Sequence, residues 1–69
     1  MANETDALNS LLQILNGREA VGLRVAAIEG LGIIGGSVAR QELIKILNAR
    51  EAAEVRAAAA RALGQATHR

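Results

Sequence analysis

The sequence predicts an all-α fold: four antiparallel helices arranged as two helical hairpins, a fragment of an α-α superhelix. Three observations predict it. An internal duplication runs through the chain, the apolar residues are spaced as on helix faces, and Ala and Leu dominate a composition with no aromatic residue and no Pro. Ala and Leu are strong helix formers, and no β-branched or aromatic run marks a strand.

The duplication has a period of 32 residues. Shifted by that amount, Leu15-Asn16-Gly17-Arg18-Glu19-Ala20 falls on Leu47-Asn48-Ala49-Arg50-Glu51-Ala52, and Leu23-Arg24-Val25-Ala26-Ala27 falls on Val55-Arg56-Ala57-Ala58-Ala59. Thirteen of the 33 pairs formed by residues 5–37 and 37–69 are identical. A fixed period of this length is the signature of a repeat architecture, in which each unit buries its apolar face against its neighbour. The expected organisation is one domain over residues 1–69, with units at about 5–36 and 37–68.

Each unit reads as two helices. Thr5 or Asp6 is placed to cap the first, and Leu8, Leu11, Leu12 and Leu15 follow the i, i+3, i+4, i+7 spacing of one face. Asn16-Gly17 ends it, both residues tolerating a left-handed conformation. The second helix is expected from about Ala20 to Ile34, with Leu23, Ala26, Ala27, Gly30 and Leu31 inward. Gly35-Gly36 breaks the chain, and Ser37 is placed to cap the third helix, which carries Leu43, Ile44, Ile46 and Leu47 and stops at Asn48. The fourth runs from about Ala52 to Ala66, with Val55, Ala58, Ala59, Ala62 and Leu63 inward. Short connections make consecutive helices antiparallel neighbours.

The stretch Val55-Arg56-Ala57-Ala58-Ala59-Ala60-Arg61-Ala62-Leu63-Gly64 resembles the A helix of a HEAT-like repeat, of the short kind also found in phycobilisome lyases. Leu23 to Gly35 repeats that helix, and Leu11 to Asn16 and Leu43 to Asn48 resemble the B helices. The resemblance spans nearly the whole chain from Thr5. It implies a surface that binds proteins, with the partner face along the B helices. Two departures stand out. Asn16 and Asn48 occupy positions where the family often has Asp, which weakens the carboxylate ladder to Arg24 and Arg56 that the resemblance implies. The order is also B-A-B-A, without a flanking helix at either end, where solenoids usually have three or more units and polar caps.

Gly30-Leu31-Gly32-Ile33-Ile34-Gly35 satisfies the G-x-G-x-x-G pattern of a dinucleotide-binding loop, and Glu51 lies about 20 residues on, where a ribose-binding acid belongs. That pattern requires a strand, a turn and a helix N-terminus. The repeat-related segment Val55 to Gly64 is Ala-rich and helical, and the 34 residues after Gly35 are too few for a doubly wound sheet. The glycines are read as helix packing, and no cofactor is expected.

No catalytic set assembles: there is no Cys or Tyr, and the single His, His68, lies in the tail. The expectation is a non-enzyme without disulfide or metal. Eight basic against seven acidic residues give no net field for nucleic acid, and stacking aromatics are absent. The polar, acidic N-terminus does not read as a signal peptide, and no apolar run approaches the ~18 residues of a membrane span. These features predict a cytoplasmic protein that binds neither nucleic acid nor membrane.

The expected function is therefore a scaffold or adaptor for protein partners. A different reading is a lyase- or chaperone-like accessory that handles a tetrapyrrole or another apolar ligand. Asn9, Gln13, Arg40, Gln41 and Lys45, on the B-type helices, are the expected partner-binding residues. A chain this short buries only about 60% of its unfolded surface, which favours association. Val21, Val25 and Ile28, off the inward stripe of the second helix, and Ala53, Ala57 and Ala60 on the fourth, are the expected self-association surface. The expected assembly is a two-fold homodimer through the open ends.

Overall fold

The computed structural model describes residues 3–68 and contains, among them, four helices and no strand. They are α1 (Glu4–Asn16), α2 (Val21–Ile34), α3 (Gly36–Leu47) and α4 (Ala53–Ala66). The helix boundaries follow local chemistry, with some differences from expectation. Asn3, rather than Thr5 or Asp6, caps α1: its side-chain oxygen accepts from the Asp6 amide at 2.9 Å. Glu4 and Asp6 then occupy the first turn, where the helix dipole favours negative charge.

The end of α1 is not left-handed. Gly17 has φ −90° and Asn48, after α3, has φ −93°. Positive φ is confined to Gly35 (71°) and Gly36 (85°) among the described residues, so the connection from α2 to α3 is the place where only glycine fits. Because that pair turns the chain so tightly, α3 starts at Gly36 and Ser37 lies within its first turn instead of capping it.

The core is built from Ile28, Leu31, Leu43 and Val55 with six alanines, and no polar or charged side chain is buried among the described residues. Leu8, Leu11, Leu12 and Leu15 of α1 pack against this core from its edge and remain half-buried. The molecule is a slab of 34 × 26 × 15 Å. The most extensive contact joins α2 to α4, and each also packs against the helix before it in the chain.

That arrangement corrects the inward and outward faces of α2. Ile28, expected outside, is fully buried, and Val25 is half-buried against the core. Leu23 and Ala26, expected inside, are exposed, Leu23 by 44%. The reason is that α2 packs against α1, α3 and α4, so its buried sector is set by where those helices lie, and the sector around Leu23 and Ala26 is left uncovered. Ile44 of α3 is likewise exposed rather than inward. The α2–α4 approach is close. A Cβ on Gly32 would lie 2.9 Å from the backbone and Cβ of Ala62, so only glycine permits this crossing.

Candidate protein-binding surface

A seam between α1 and α3 holds two pockets. One pocket, of about 200 Å³, is lined by Glu4, Thr5 and Leu8 of α1, Ser37 and Val38 of α3, and the Ile34–Gly36 turn. A second, of about 180 Å³, is lined by Leu15 and Asn16 of α1, Glu42, Lys45 and Ile46 of α3, and Arg24, Ala49 and Glu51. The first pocket takes the opening turns of both helices and the second their closing turns. The two helices therefore run side by side in the same direction.

The ends of the seam differ in chemistry. At the first, Leu8, Ile34 and Val38 give an apolar lining. At the second, Arg24 Nη2 donates to Glu51 Oε2 at 2.8 Å, and Lys45 Nζ donates to Glu42 Oε2 at 3.2 Å. The hydrogen bond to Glu51 raises the Arg24 pKa above its ordinary value, and the bond from Arg24 lowers that of Glu51. Both groups stay charged at neutral pH. Arg56, the repeat counterpart of Arg24, donates through Nε to the Leu47 carbonyl at 3.0 Å. Each arginine thus ties its A-type helix to a neighbouring segment, and Glu51 supplies the acid that Asn48 does not.

The expected partner residues lie on two helices. Asn9 and Gln13 are exposed one turn apart on α1, and Gln41 and Lys45 are exposed one turn apart on α3. Arg40 sits about 100° around the helix from Gln41 and is partly covered. Of the expected self-association residues, Val21, Ala53, Ala57 and Ala60 are exposed, Val25 is half-covered, and Ile28 belongs to the core. The apolar lining by Ile34 and Val38 and the Arg24–Glu51 bridge were not anticipated. The recurrence of Arg24 at Arg56 was the available signal, because an arginine kept at a repeat position needs an acceptor near it.

Gly30 and Gly32 lie inside α2, where Gly30 faces the Leu11 side chain and Gly32 faces Ala62, so the glycine pattern serves helix packing. Among the described residues no group of three or more His, Cys, Asp or Glu is placed to hold a metal ion, and no helix is long and apolar enough to cross a membrane. A family model described as HEAT repeats matches residues 1–64. Comparison with curated proteins and with solved structures gives no match.

Proposed function

The chain belongs to the HEAT-repeat family, and from that premise we propose that it is a non-catalytic protein-binding module that receives a polypeptide segment along the α1–α3 seam. The observation that carries this reading is the seam itself. It has an apolar pocket at one end and, at the other, a pocket whose lining carries Asn16, Arg24, Glu42, Lys45 and Glu51. Such a strip offers a peptide apolar anchors together with hydrogen-bond partners, the combination that fixes register along an extended contact.

The pocket volumes favour a peptide over a tetrapyrrole. Sites for small molecules of that class enclose roughly 300–1,000 Å³ and bury most of the ligand, whereas these pockets hold about 200 and 180 Å³ and lie at opposite ends of the seam. The test is a selection of displayed peptides against the immobilised chain, with amide shifts mapping where the selected peptides bind. Shifts at Leu8, Val38, Glu42 and Lys45, and loss of binding in a Val38→Arg, Lys45→Glu double variant, are expected. Peptides that map elsewhere, or that bind the double variant equally well, contradict the proposal.

A further inference from the structure

Repeat-related residues should be buried alike unless one of them faces a neighbour that the other lacks. Along α2 and α4 they differ in two groups. Val55 and Ala58 are fully buried, whereas their counterparts Leu23 and Ala26 are exposed. Ile28 and Gly32 are buried, whereas their counterparts Ala60 and Gly64 are exposed. Gly32 is pressed against Ala62, but a Cβ on Gly64 would meet nothing within 4 Å. The first group is the side of an A-type helix that faces the preceding unit, and the second is the side that faces the following one. The α2–α4 contact joins one such side to the other. A copy of each side is left open, around Leu23 and Ala26 on α2 and around Ala57, Ala60 and Gly64 on α4.

The charges at the rim of the internal contact identify what fits those open sides. Among the described residues two ion pairs cross between the units: Arg24 with Glu51 at 2.8 Å, and Arg61 with Glu29 at 4.0 Å. Advancing the first pair by one repeat places Arg56 opposite Glu19 of a second copy. Advancing the second places Arg61 opposite Glu29 of that copy. Both advanced pairs have opposite sign, although the sequence at these positions is not a simple repetition, since Glu29 and Arg61 are themselves counterparts. Arg56 uses Nε on the Leu47 carbonyl, which leaves its terminal nitrogens as donors.

We propose that the chain stacks head-to-tail on itself, the α4 face of one copy receiving the outer α2 face of the next as α2 receives α4 within the chain. The proposal rests on the reading of the chain as a protein-binding repeat module and names a second copy as one of its partners. The two joined faces are different, so the contact is heterologous and propagates, rather than closing as the two-fold dimer expected from sequence does. On the α4 side of the joint Ala57 and Ala60 stand where Val25 and Ile28 stand in the internal contact, so it offers less apolar area to bury. Association is therefore weak and grows with concentration.

The test uses the 69-residue chain and two variants at exposed positions, Ala60→Arg on the α4 face and Ala26→Arg on the α2 face, each checked for native helicity by circular dichroism. Sedimentation of the unaltered chain is expected to show a mean mass that rises from micromolar to millimolar concentration. Each variant alone should remain monomeric, and the equimolar mixture should form a dimer, because each variant supplies the face that the other has lost. An unaltered chain that stays monomeric throughout overturns the proposal. So does one variant dimerising by itself, which is the two-fold outcome, or a mixture that stays monomeric. Peptide binding reads the α1–α3 seam instead, so failure of that reading is distinguishable from failure of stacking.

Discussion

At the scale of single residues, Gly32 and Gly64 are the most informative pair, because they are repeat counterparts in opposite surroundings. A methyl group on Gly32 would lie 2.9 Å from the Ala62 backbone, which cannot give way as a side chain can. Overpacking of that kind costs about 1–3 kcal/mol, which outweighs the ~1 kcal/mol or less that Ala gains over Gly in a helix. Gly32→Ala is therefore expected to destabilise the chain. Gly64→Ala, with nothing in the way, should stabilise it by up to ~1 kcal/mol. Urea unfolding at micromolar protein concentration reads both signs. Glu51 gives a second prediction at this scale. Its carboxylate is held below the usual glutamate range by the hydrogen bond from Arg24. Its contribution is thus present above the ordinary glutamate pKa and is lost as pH falls through the lowered folded value. The pair is partly exposed, so Glu51→Gln should cost about 1 kcal/mol or less at neutral pH. Melting temperatures of the variant and the parent should converge in acid. The sequence showed that Arg24 and Arg56 recur but not which acceptor each would find, since that depends on how closely the units approach.

At the scale of elements, α2 marks where periodicity was sufficient and where it was not. The spacing of Leu23, Ala27 and Leu31 identified a helix and its general orientation, and the duplication placed its ends within a residue or so. Periodicity alone describes a helix with one covered side. α2 packs against α1, α3 and α4, and that cover buries Ile28 while leaving Leu23 and Ala26 exposed. The nearly continuous apolar character of α2 was visible in the sequence; packing within the chain accounts for Ile28, while Val21, Leu23 and Ile33 remain exposed. Truncation separates the two assignments. Ile28→Ala is expected to cost about 2–5 kcal/mol, the range for a fully buried aliphatic side chain. Val21→Ala, at an exposed position, should stay within about 0.5 kcal/mol. Chemical denaturation of the two variants checks the face assignment directly, and equal losses would contradict it. The α1–α3 seam was less legible still. One pocket forms where the starts of α1 and α3 meet the Gly35-Gly36 turn, the other where their later turns meet Arg24, Ala49 and Glu51, tertiary relations that no local pattern encodes.

At the scale of the whole molecule, the chain is a short stretch of superhelix whose internal contact supplies the pattern for its open faces. The duplication made the fold legible in the sequence, because self-similarity at a period of 32 residues admits few architectures. Burial that differs between the two units then separates residues that hold each hairpin together from residues that join one unit to the next. Ala27 and Ala59 are buried in both units, while Ile28 and Ala60 part company. The direct test is the concentration dependence of the amide resonances of the unaltered chain in solution. Stacking predicts that Glu19, Leu23 and Ala26 on one face and Arg56, Ala60 and Gly64 on the other shift together along a single binding curve, while Ala27 and Ala59 stay fixed. Shifts confined to one face, or a spectrum unchanged between micromolar and millimolar protein, would contradict it.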